Sequence, residues 1–161
     1  MPLTTAQKVT LKADIVAKQA VAQPLFGVTN EQVIADYYNA APGTFIVWKS
    51  SVELAHVGAA FNSVELAGLS TANTNRLQVM AAYSGGVFSP ALADMRAGFD
   101  SIYSGAGGAL TRAALLALWK RAARRVEALF ATGTGTDAAP ATLVYEDQLT
   151  AQVVSDVIAG L

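Results

Sequence analysis

Cysteine is absent from the 161-residue chain, so neither a disulfide nor thiolate chemistry is open to it. Histidine occurs once, as His56, which excludes a multi-histidine metal set or a relay between two imidazoles. Charge is scarce as well: 14% of residues are charged and the net charge is −1, so nothing in the bulk balance draws the chain to nucleic acid or to anionic lipid. No apolar run reaches the roughly 18 residues needed to span a bilayer. The opening "MPLTTAQKVTLKADIV" lacks a signal-peptide pattern, from which synthesis in the cytosol is expected.

Apolar residues fill the space that charge leaves. They make up 53% of the chain, with alanine prominent among them, which points to helices packed through small side chains. So much apolar surface with so little charge implies that partners cover part of it. The length suits one respectable core with a projecting segment.

Helix starts recur along the chain as a side-chain acceptor followed three residues later by Glu or Gln, the spacing of a capping box. Thr4 with Gln7 opens a helix to about residue 22, with Val9, Ala13, Val16 and Ala20 as its apolar stripe and Pro24 as its stop. Thr29 with Gln32 opens a second, to about Ala40. "TFIVWK" suits a brief strand or a buried connection. Ser50 with Glu53 opens a third helix to about Ala60, and "FNSVELAGLS" suits a tight turn region. Helices follow at about 71–83 and, after Ser89-Pro90, at about 90–104.

The strongest pattern lies at about 109–130. At 100° per residue, Leu115, Leu118, Trp119, Ala122, Val126, Leu129 and Phe130 gather on one side, and Lys120, Arg121, Arg124 and Arg125 on the other. Beyond Phe130 the remaining charges are all acidic: Asp137, Glu146, Asp147 and Asp156. "ATGTGTDAAPAT" is rich in Gly, Thr, Pro and Ala and is expected to be an extended, flexible hinge. "LVYED" suits a strand and "LTAQVVSDVIAGL" a last short helix. The fold expected is mainly α: a compact helical bundle over 1–131 with a long amphipathic helix, and an extended C-terminal arm over 132–161 containing a short β-strand.

Candidate chemistry is thin. "GAGGAL" has Leu110 where a dinucleotide-binding turn needs Gly or Ala, and it follows a helix, so a helix–helix linker is the better reading. "TGTGT" lacks the Lys-Ser/Thr ending of a phosphate-binding loop. His56 lies in an expected helix without placed partners, and no nucleophile elbow is present. Glu146 and Asp147 are adjacent, so on a strand they point to opposite faces and do not form an acid/base pair. No catalytic residue, metal site or cofactor is expected. The basic helix face has three readings: a solvated face, a phosphate contact, or a docking surface for an acidic partner. The chain's own acid-only tail is such a partner, and no aromatics interleave with the arginines as single-strand binding requires.

The segments "MPLTTAQKVTLKADI" and "RRVEALFATGTGTDAAPAT", together with "WKSSV", "VELAGLS" and "MRAGFDSIYSG", resemble short virion proteins of tailed bacteriophages encoded among the head and neck genes. The resemblance covers most of the chain and carries no catalytic motif. It implies a non-enzymatic head-to-tail adaptor, or connector, made in the host bacterial cytoplasm and resident in the virion neck. Such adaptors form a ring, a dodecamer matching the portal, that docks on the portal protein and extends the DNA channel toward downstream neck or tail proteins. Other neck proteins (a tail terminator, stopper or head-completion protein) and a small accessory DNA-binding protein are the alternatives. The residues expected to meet another subunit or the portal are Arg121, Arg124, Arg125, Leu143, Val144, Tyr145, Glu146 and Asp147, with "TLVYE" adding a strand to a neighbouring sheet edge.

Overall fold

A computed structural model describes residues 2–21 and 30–159 and is mainly helical. The chain forms two units. Residues 1–47 and 122–161 make the first and residues 48–121 the second, so the second is an insertion within the first. The crossings fall inside strands β1 (Ile46–Trp48) and β4 (Lys120–Ala122), which pair with each other.

The first unit holds helices α1 (Thr5–Val21), α2 (Glu31–Asn39), α8 (Arg125–Phe130) and α9 (Ala151–Ala159). The expected capping box opens α1: Thr4 N donates to Gln7 Oε1 at 2.9 Å and Gln7 N to Thr4 Oγ1 at 3.2 Å. Thr29, like Pro24, lies outside the described residues; the side chain of Asn30 caps α2 by accepting from Gln32 N. Leu3, Leu11, Ile15, Ile34, Tyr38, Val126, Tyr145, Leu149, Val154 and Val157 form the core. The stripe expected to face it on α1 does not: Val9 is 54% and Val16 56% exposed, while Leu11 and Ile15 are buried. The helix carries two apolar stripes on nearly opposite sides, and the one with the larger side chains, which gains more from burial, is the one buried.

The second unit holds β2 (Val52–Glu53), α3 (Leu54–Ala59), α4 (Ser63–Ala67), α5 (Thr71–Tyr83), β3 (Val87–Phe88), α6 (Ala93–Ile102), a short 3₁₀ turn (Ala106–Gly108) and α7 (Ala109–Trp119). Its core is aromatic: Phe88, Phe99, Tyr103 and Trp119 with Val52, Val57, Ile102 and Leu115. The rings of Phe88 and Phe99, and of Phe99 and Trp119, meet edge to face at 5.3 Å. Ser50 and Glu53 do not box a helix, because Val52 and Glu53 pair antiparallel with Phe88 and Val87. "FNSVELAGLS" contains a helix, α4, whose N-cap Asn62 accepts from Val64 N and Glu65 N. The helix after Ser89-Pro90 starts later than expected, at Ala93.

The expected long helix over 109–130 is broken. α7 stops at Trp119, Lys120 turns extended (φ −101°, ψ 154°), and α8 resumes at Arg125. Lys, Arg and Ala at 120–124 are all good helix formers, so local preference does not make the break. Tertiary hydrogen bonds do: the Trp119 carbonyl accepts from Lys49 N at 2.8 Å, and Ala123 N donates to the Phe45 carbonyl at 2.8 Å.

Nor does the C-terminal segment form a projecting arm. Tyr145, Leu149, Val154 and Val157 are core residues of the first unit. The Gly/Thr stretch is held rather than hinged: Ile46 N donates to the Gly135 carbonyl at 2.7 Å, Thr132 and Thr142 exchange backbone hydrogen bonds at 2.9 Å, and Ala141 N donates to the Ile46 carbonyl at 2.9 Å. Isolated bridges occur at Ala141 and Thr142, but Leu143–Asp147 is not a strand. The expected last helix is present as α9.

Candidate interaction surface

The break after Trp119 disperses the basic helix face. Arg121 sits half-buried in β4, whereas Arg124 and Arg125 begin α8 in the first unit. Arg124 is the extended N-cap residue, and its N–H donates at 2.8 Å to Oε2 of Glu127, a fully buried carboxylate. The Arg124 guanidinium lies 3.7 Å from the other carboxylate oxygen, which supplies the countercharge a buried anion needs. Arg125 stacks on the ring of Tyr37, 4.1 Å from its centroid, and donates from Nη1 to the Tyr37 carbonyl at 2.9 Å. Its own N–H donates to the Ala40 carbonyl. These two arginines hold their own unit together.

From Leu143 to Glu146 the tail residues alternate inward and outward, as in an extended chain, and Asp147 departs from the alternation. Leu143 is half-buried against Val47, Ala123 and Ala141. Tyr145 is 3% exposed, its ring 5.9 Å from Phe130 and edge-on to it, and burial raises its phenol pKa. Val144, Glu146 and Asp147 are exposed. Of the residues expected to meet a partner, these three keep an outward position.

What anchors this segment is Asn39, which sequence reasoning missed. Its side-chain amide donates to the Leu149 carbonyl and its carbonyl accepts from Leu149 N, both at 2.8 Å, so one side chain imitates a strand neighbour and fastens α2 to the run before α9. A second missed cluster is Asp14, which accepts from Tyr38 Oη and from Lys18 Nζ at 2.5 Å each. Burial, reinforced by that hydrogen bond, pushes the Tyr38 phenol far above the ordinary tyrosine range.

Outward apolar surface is the main feature left in each unit. In the second, Tyr83 is 88% exposed, Val64 77%, Leu110 63% and Leu92 58%. Met80, Leu92, Met95 and Gly98 line an open groove of about 410 Å³ beside α5 and α6. A more polar depression of about 490 Å³ includes Lys49, Ser51, Glu53 and His56. There His56 Nδ1 lies 4.0 Å from Glu53 Oε2, with both side chains mostly exposed, a geometry that neither desolvates nor orients a base. Among the described residues no group of three or more His, Cys, Asp or Glu side chains is placed to hold a metal ion, and no helix is long and apolar enough to cross a membrane.

No protein-family model matches the chain, and comparison with curated proteins and with solved structures returns no match either.

Proposed function

We propose that the chain is a non-enzymatic structural protein of a tailed-phage virion, a head-to-tail adaptor whose copies form a ring on the portal and continue the DNA channel toward the tail. Its resemblance to neck proteins supports this reading. The observation that carries it is the outward apolar surface of both units in a chain with only 14% charged residues. Exposed side chains such as Tyr83, Val64, Leu110, Val9 and Val16 suit a protein whose working form is an assembly.

The contact is made through folded surfaces, since the segment after Ala131 is committed to its own unit. Arg124 and Arg125, engaged with Glu127 and Tyr37, give little support to the alternative of a DNA-binding protein. The test is to locate this chain in cryo-EM maps of intact particles. Ring density beneath the portal is the expected result; density confined to the capsid shell or the tail tip overturns the proposal.

A further inference from the structure

Helix α5 is 13 residues long and buries none of them completely. Ala72, Arg76, Val79 and Tyr83 recur at i, i+4, i+7 and i+11, so they share one face, and all four are exposed. The Tyr83 ring stands almost wholly in solvent.

Three contacts lay α5 antiparallel along α6. Asn73 Nδ2 donates to the Ile102 carbonyl at 3.0 Å, and Arg76 Nη1 donates to Ser101 Oγ at 3.2 Å. Met80 then fills the space left by Gly98, where a Cβ would lie 3.0 Å from Met80 Cε. Asp94, one turn before Gly98, lines the groove described above together with Met80 and Leu92. Met80 also borders a second depression, with Arg76 and Val79. One patch therefore has Met80 at its centre, a cation at one end and an anion at the other. Arg76 precedes Met80, and Asp94 precedes Gly98, by four residues, so each charge stands roughly 6 Å from the centre along its helix. Neither takes part in an ion pair among the described residues.

We infer that this patch packs on the same patch of a second copy of the chain. The two-fold axis runs through the centre and across the line joining Arg76 to Asp94, so the Arg76 end of each copy lies over the Asp94 end of the other. The charge pattern selects this occupant. A second copy meets opposite charge at both ends, whereas a uniformly acidic or basic partner meets like charge at one of them. Val79, Met80 and Tyr83 supply the apolar burial, with an exposed aromatic ring as anchor and a thioether that adapts to the facing surface. A two-fold contact closes at two copies and does not propagate, so it describes the free chain and does not rest on the adaptor reading.

Sedimentation of the full chain over a range of concentrations tests this. The expected result is a monomer–dimer equilibrium that stops at two copies. Tyr83→Ala, which removes a ring that the single chain leaves in solvent, is expected to weaken dimerisation by about tenfold or more. Arg76→Glu and Asp94→Arg are each expected to weaken it by roughly two- to thirtyfold, because two pairs per dimer turn repulsive. Mixing those two variants is expected to restore it, since opposite charges then meet at both ends. Mixing does not repair a folding defect, and circular dichroism of each variant checks that the helices persist.

A chain that stays monomeric at every concentration overturns the inference. So does dimerisation indifferent to Tyr83→Ala, or a mixture that associates no better than its two components. None of these results moves the location of the chain in the particle, so the adaptor reading stands or falls separately.

Discussion

Gly135 shows how much one residue decides. Its φ of +67° belongs to the left-handed region, and a Cβ built there would run into the ring of Phe45. Glycine is thus required twice, by backbone and by space. Replacing it with alanine is expected to cost about 2 kcal/mol or more, read as a drop in denaturation midpoint at constant m-value, because Phe45 and the Ile46 N–H to Gly135 carbonyl bond move together. The sequence advertised glycine here but not its purpose. Flexible linkers and tight loops share Gly and Thr, and only the approach of an aromatic ring from about ninety residues away separates them. Arg124 and Arg125 were ambiguous for the same reason: a wheel gives a direction, whereas Tyr37 and Glu127 give the occupants.

Helix boundaries follow the same logic. Where a cap is local, as at Thr4 with Gln7 or at Ser70, whose hydroxyl accepts from Asn73 N, the start of the helix was legible. Where a distant strand competes, as at Val52–Glu53 and Lys120–Ala122, it was not. The N-terminus of α7 is a third case, capped from another helix. Glu65 of α4 accepts from Leu110 N at 2.9 Å and from Thr111 N at 2.7 Å, anchoring the positive end of the helix dipole. Desolvation raises the Glu65 pKa, yet the N–H groups of Thr111 and Leu110, the Thr111 hydroxyl and Arg112 together outweigh it and hold the carboxyl below the ordinary glutamate value. A pKa depressed on folding contributes stability that is complete above the unfolded value, near 4.5, and is lost as pH falls through the folded one. Thermal midpoints measured from pH 6 downward are therefore expected to decline below about pH 4.5, with Glu65→Gln flattening that decline and lowering the midpoint at neutral pH.

At the scale of the whole molecule, mainly α character was legible and the division into units was not. Periodicity reports helices, but an insertion that splits one unit around another leaves no local mark. The tail was misjudged because its Gly/Thr lead-in resembles a tether, while its apolar content, Tyr145, Leu149, Val154 and Val157, completes the first unit's core. Truncation before Leu143 removes all four. With each such side chain worth about 1.5–3 kcal/mol on burial, the loss is comparable to the ~5–15 kcal/mol that keeps a typical domain folded. The truncated chain is expected to lose a large share of its far-ultraviolet helical signal and to become protease-sensitive; an unchanged spectrum and melting curve contradict this account of the tail.

The enclosure of Leu11 and Ile15 by α9 also sets a timetable for biosynthesis. Those side chains leave the ribosome about 140 residues ahead of Val154. At ~5–20 residues per second the first helix waits roughly ten to thirty seconds for the last one, its inner face uncovered meanwhile. The inserted unit, whose stretch of chain is continuous, can finish folding in that interval. The middle of such a chain can be folded while the two stretches that flank it still await each other.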